Sequence, residues 1–99
     1  MTRSEAMKLV TAELGRAAEK FPLWPTDPHH ALDVLGEEFG ELAKAIVEHT
    51  YEPGKSSCDE VQKEAVQTAA MAIRFLMGLH RYHYRKSDQY LQFEGGSSK

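Results

Sequence analysis

Apolar residues recur at three- and four-residue steps along three stretches of this chain. That spacing constrains its fold more than any other feature. The first series is Met7, Val10, Leu14, Ala17 and Phe21. The second is Leu32, Leu35, Phe39, Leu42 and Ile46. The third is Val61, Ala65, Thr68, Ala72, Phe75 and Leu79. Side chains at such steps share one face of an α-helix, and each face asks for a partner. No stretch of any length alternates apolar and polar residues as a strand would. The expected fold is therefore all-α: helical hairpins in a four-helix-bundle architecture, completed by oligomerisation. The chain's 99 residues allow one domain with a modest core and are too few for two.

Caps and prolines set the expected boundaries. Thr2 with Glu5 reads as a capping box opening the first helix. "FPLWPTDP" ends it, because a residue before proline avoids the α region. Asp27 and Pro28 read as N-cap and first residue of a second helix over about residues 28–49. "YEPGKSS" is a turn. Ser57 with Glu60 reads as a second capping box, opening a third helix that runs to roughly His83, with Gly78 weakening its end. Residues 1–93 are expected to form the domain, with Tyr90, Leu91 and Phe93 packed on the helices or on a partner chain. "EGGSSK", residues 94–99, reads as a disordered tail.

Charge excludes some functions. A net charge of −3 argues against binding a nucleic-acid polymer, which calls for a basic patch. It does not exclude a nucleotide enzyme, since a metal ion can supply positive charge. No apolar run reaches the roughly 20 residues of a membrane helix. The N-terminus has no apolar core of a secretion signal. The single Cys58 suits a reducing compartment. A cytoplasmic protein with no membrane partner is expected.

The acidic residues of "GEEFGELAKAIVE" are the most pointed feature. Glu37, Glu38 and Glu41 lie within a turn and a half of helix, where like charges repel. On a helical wheel Glu38 borders the apolar stripe and Glu41 lies slightly further round, on the flank of Val34 and Ala45. Glu37 points further out. The third helix has a matching flank of Glu60, Glu64, Gln67, Met71 and Arg74. Antiparallel packing would bring Glu38, Glu41, Glu64 and Glu60 toward one pocket. Such a group needs a proton, a basic side chain or a hard metal ion to neutralise it. Oxygen donors without a nearby cysteine favour Mg²⁺ or Mn²⁺ over Zn²⁺. Solvated glutamates on an outer helix face are the plain alternative.

"GEEFGELAKAI" followed by "EAVQTAAMAIRFL" resembles the MazG-like all-α nucleoside triphosphate pyrophosphohydrolases. That family has an ExxE pair on one helix and an ExxD pair on the next. The first pair falls on Glu38 and Glu41, with Glu37 completing the usual double-glutamate start. The second falls on Glu64 and Gln67. The upstream "WPTDPHHALDVLGEE" is also similar to relatives that carry a Trp and a His there. The resemblance covers about residues 20–80. It implies Mg²⁺, or Mn²⁺, held by the acidic side chains, and hydrolysis of a nucleoside triphosphate to a monophosphate and pyrophosphate in a house-cleaning or pool-regulating role. It also implies homodimers or dimers of dimers. Glu38, Glu41 and Glu64 are the expected catalytic carboxylates. Glu37, Gln67 and Glu60 join them as metal-site candidates.

Gln67 departs from the family's aspartate. Its carbonyl can ligate a hard cation but brings no charge. Either Glu60 compensates, or one metal position is weakened, or the domain binds nucleotide without turning it over. A purely structural helical module is a third reading. Trp24, with Phe21, is a candidate to stack on a base or to close the core at the proline turn. His30 is a candidate base or phosphate contact, and Lys44 and Arg74 are candidate phosphate contacts. Val34, Ala45, Ala70 and Ile73 lie off the main stripes and ask for further burial, which points to a second copy.

Overall fold

The computed structural model describes residues 1–84. The expectations for Tyr90, Leu91, Phe93 and the 94–99 tail lie outside the described residues. The described residues are helical, with no strand among them: α1 (Arg3–Lys20), α2 (Pro28–Tyr51), α3 (Cys58–Met77) and a short 3₁₀ turn (Leu79–Arg81).

Local chemistry accounts for the starts. The Thr2 hydroxyl accepts from the Glu5 N–H at 3.1 Å, and the Thr2 N–H donates to the Glu5 carboxylate at 2.7 Å. Both halves of the first capping box are formed. Asp27 accepts from the His29 N–H at 2.9 Å, ahead of Pro28 in the first turn of α2. Ser57 accepts from the Glu60 N–H at 3.2 Å, so that cap stands as half of the expected box. In the α2–α3 turn Gly54 takes φ +85°, a left-handed conformation suited to glycine.

The third helix stops at Met77, short of the expected His83. Gly78 is its C-cap, with its N–H directed to the carbonyls of Arg74 and Leu76. A Cβ there would meet Trp24 Cδ1 and the Tyr82 hydroxyl, each at 3.1 Å. The missing side chain lets the chain turn and lay Tyr82 back onto α3. The Tyr82 hydroxyl donates to the Phe75 carbonyl at 2.8 Å, and the two rings lie 5.0 Å apart. The His83 N–H donates to the Thr26 carbonyl at 2.9 Å, tying the interhelix loop down.

α3 is the middle of a single layer: α1 and α2 each pack on it, and not on each other. The expected stripes are only partly buried. Leu32, Phe39 and Ile46 of α2 remain 54%, 62% and 47% exposed; Met7, Phe21, Ala65 and Ala72 are exposed as well. What packs instead is the neighbouring arc, with Ala31 and Ala45 buried on α2 and Ala70 and Met71 on α3. Ala17 of α1 joins Ala70 and Met71, with Val10, Leu14, Trp24, Val34 and Leu35 around them. The reason is steric. Helix backbones approach closely where side chains are small, so alanines fix the contact line and larger residues splay to its sides.

The layer thus has two unlike faces. On one side of the α2–α3 contact line lie the glutamates of both helices. On the other lie Leu32, Phe39 and Ile46 of α2, and, on one arc of α3, Ala65, Ala72 and Leu76. All six are exposed.

Candidate functional site

Packing α2 on α3 through alanines draws the acidic flanks inward. Glu38 and Glu64 become half-buried, while Glu37, Glu41 and Glu60 stay exposed. The link between the two helices is Gln67, itself half-buried. With its amide nitrogen turned toward them, Gln67 reaches Glu64 Oε1 and Glu38 Oε1, each at 3.2 Å. This orientation follows from the bonding pattern, because only the N–H₂ side can donate to two carboxylates.

Glu38 is the strained member. Burial, more than anything else, pushes its carboxyl above the ordinary value. The nearby charges of Glu64, Glu41, Glu13 and Glu37 push it the same way.

Two cavities adjoin this bridge. The larger, about 560 Å³, lies among α1, the 21–25 loop, α2 and α3. Glu37, Glu38, Gln67, Trp24, His30 and Arg74 all line it, with Phe21, Val34 and Met71 as apolar wall. The smaller, about 220 Å³, is lined by Glu41, Lys44, Glu48, Lys55, Glu60 and Glu64. The expected site residues therefore fall into two neighbouring groups: Glu38 belongs to one and Glu41 and Glu64 to the other. Gln67 touches a carboxylate of each group. No three His, Cys, Asp or Glu residues among those described are gathered closely enough to hold a metal ion. Two carboxylates from different helices converge on one amide, and one of them is costly to ionise.

Trp24 and Arg74 form a unit. The guanidinium lies over the indole at 4.8 Å and donates to the Phe21 carbonyl at 2.8 Å. The indole N–H donates to the Tyr82 hydroxyl at 2.8 Å. Arg74 thereby shapes the loop that walls the cavity while it lines the cavity itself. Lys44 lies with the smaller cavity, next to Glu41 and Glu48.

Glu13 and Arg16 of α1 also line the larger cavity, and sequence reasoning missed them. Their signal was present: they form an i,i+3 pair beside the stripe residues Leu14 and Ala17, as the α2 glutamates sit beside theirs. The Arg16 side chain donates to both Glu13 oxygens, at 2.8 Å and 2.6 Å. That bond from Arg16 holds the Glu13 carboxyl below its ordinary value.

No helix among the described residues is long and apolar enough to cross a membrane. No family model matches the chain, and neither a curated protein nor a solved structure matches it.

Proposed function

We propose that the protein is a metal-dependent nucleoside triphosphate pyrophosphohydrolase, converting a ribo- or deoxyribonucleoside triphosphate to the monophosphate and pyrophosphate. The observation that carries this reading is the convergence of Glu38 and Glu64 on Gln67 at the edge of a cavity walled by Trp24 and Arg74. Half-buried carboxylates held together without a cation are costly, and an oxygen-rich pair of this kind suits Mg²⁺ or Mn²⁺. The resemblance of "GEEFGELAKAI" and "EAVQTAAMAIRFL" to the MazG-like enzymes supports the same chemistry.

In this reading Glu38 and Glu64, with Glu41 from the adjoining cavity and Glu37 and Glu60 beside them, would hold the metal, and Gln67 would join the donor set only by turning its carbonyl inward and giving up its two hydrogen bonds. When bound, the metal neutralises phosphate charge and lowers the pKa of an attacking water. Trp24 offers its indole to the base, held by the Arg74 guanidinium over one face and by the Tyr82 hydroxyl at its N–H. The apolar wall of Val34 and Met71 limits water around that end of the ligand. His30 and Lys44 are the polar contacts at the rims of the two cavities.

The exposed arc of Leu32, Phe39 and Ile46 supports assembly. No side chain larger than alanine is fully buried among the described residues, so one chain lacks a core of ordinary size. We take a homodimer, or a dimer of dimers, to cover that face and leave the acidic face open.

A second reading has its own support. Gln67 brings no charge where a carboxylate would be expected, and among the described residues no three His, Cys, Asp or Glu side chains are gathered closely enough to hold a metal ion. A nucleotide-binding module without turnover would look the same. A turnover assay across canonical and modified ribo- and deoxyribonucleotides, with and without Mg²⁺, separates the two. Mg²⁺-dependent release of pyrophosphate supports the enzyme. Nucleotide binding without release selects the module, and neither result leaves a structural helical protein.

A further inference from the structure

The larger cavity holds two guanidinium groups that are not equivalent. Arg74, half-buried, lies over the Trp24 ring and spends one N–H on the Phe21 carbonyl, which holds it in the cavity wall. Arg16 is bound side-on, through Nε and Nη2, to Glu13 alone among the described residues. That leaves Nη1 and the outer N–H of Nη2 to donate elsewhere. Exposure divides the pair as well: the Glu13 side chain is 13% exposed and the Arg16 side chain 51%. The carboxylate is the sunk anchor, and the guanidinium stands at the cavity mouth.

Charge gives the placement a consequence. Glu13, Glu37 and Glu38 line this cavity, against Arg16 and Arg74. Three carboxylates facing one tied guanidinium would repel an anion. With Arg16 counted the lining still carries one net negative charge, which a bound divalent cation would offset; Arg16 adds unspent N–H groups on the exposed side, in the planar fork that matches phosphate oxygens.

We propose that Arg16 is a ligand-binding residue of the site: its free N–H groups take phosphate oxygens of the nucleotide while Glu13 holds the fork in position. This rests on the nucleotide reading of the cavity. It adds an α1 residue to a site whose other members come from α2, α3 and the loop between α1 and α2. Arg16 is exposed and Arg16→Lys keeps the charge beside the half-buried Glu13, so that variant remains folded, and thermal melts of the others check their folding.

The test is calorimetric titration with Mg²⁺ present. The probes are α,β-methylene analogues of the common ribo- and deoxyribonucleoside triphosphates, which resist cleavage at that bond, and their parent nucleosides. Wild type is compared with Arg16→Gln, Arg16→Lys and Glu13→Gln. Arg16→Gln should weaken the best triphosphate analogue roughly 10- to 100-fold and flatten the salt dependence of its binding, with nucleoside affinity unchanged. Arg16→Lys should recover part of the loss, and Glu13→Gln should show a smaller loss. Equal analogue affinity in wild type and Arg16→Gln overturns the role of Arg16 and leaves the nucleotide reading standing. An equal loss of nucleoside and analogue affinity also overturns it, since that marks a change in cavity shape. No binding of any analogue or nucleoside by wild type overturns both.

Discussion

Trp24 and Tyr82, 58 residues apart, share a hydrogen bond of 2.8 Å from the indole N–H to the phenol oxygen. The same hydroxyl donates to the Phe75 carbonyl at 2.8 Å. One oxygen therefore links the loop after α1 to the end of α3. Trp24 in turn lies beneath the Arg74 guanidinium. The aromatic wall of the larger cavity stands where it does because of this chain of contacts.

Tyr82→Phe should cost about 1–2 kcal/mol of stability, because it leaves the indole N–H without its acceptor and the Phe75 carbonyl without its donor. Gly78→Ala should cost about 1–2 kcal/mol, since its Cβ would press on Trp24 and Tyr82, which are bonded to each other and cannot both yield. Thermal melts of both variants check this. Stability equal to wild type in both would mean that the loop is held by other contacts.

Divalent ions should stabilise the native state. Mg²⁺ or Mn²⁺ at a hundredfold above its Kd should add about 2.7 kcal/mol to the wild type. Glu38→Gln or Glu41→Gln should remove most of the resulting rise in Tm. An undiminished rise in both variants would rule out a site shared by these carboxylates.

Without metal, Glu38 should oppose folding at neutral pH. Its carboxyl is raised in the folded state, by burial first and then by Glu64, Glu41, Glu13 and Glu37. The folded state thus holds the proton more tightly than the unfolded one. At pH below the ordinary carboxylate value both states are protonated and no penalty exists. As pH rises through the raised value, the penalty develops in full. Glu13 has the opposite sign: Arg16 lowers its carboxyl, and its contribution is lost as pH falls through that lowered value. The difference between wild type and Glu38→Gln isolates Glu38. In chelator at pH 7 the variant should be more stable by about 0.5 kcal/mol, a figure kept small by solvent screening, and the gain should vanish in acid. A variant less stable than wild type at pH 7 would refute this.

Gln67→Asp should have opposed effects with and without metal. The neutral amide now donates to both Glu38 and Glu64. An aspartate there removes both bonds and adds a third negative charge, so the metal-free Tm should fall. Mg²⁺ should bind more tightly, by about tenfold or more for an added charged ligand, and any turnover should be kept or raised. A lower Mg²⁺ affinity in the variant would place Gln67 outside the metal site.

The exposed arc of α2 should be an interface. Light scattering should give at least twice the chain's 11.2 kDa. Phe39→Glu, at the centre of that arc, should return a monomer, because the new charge would have to be desolvated. A wild-type mass near that of one chain would remove the dimer and the need to cover this face.

Capping and periodicity are local properties, and they were legible in the chain itself. Thr2, Asp27 and Ser57 open the three helices because each side chain bonds to a backbone N–H within three residues of itself. The placement of Glu38 at the edge of a helix contact followed from the wheel for the same reason. The direction in which each helix turns its apolar arc is a different kind of property. Leu32, Phe39 and Ile46 are the larger side chains, yet Ala31, Ala45 and Ala70 are the buried ones. A helical period places these residues on one broad arc and cannot say which part meets a neighbour. Close approach of two backbones chose the small ones. Likewise the stop at Gly78, the Arg74 tie to Phe21 and the presence of Arg16 beside Glu38 depend on segments far apart in sequence. Their energies come from contacts that exist only after the helices have packed, so tertiary structure alone decided them.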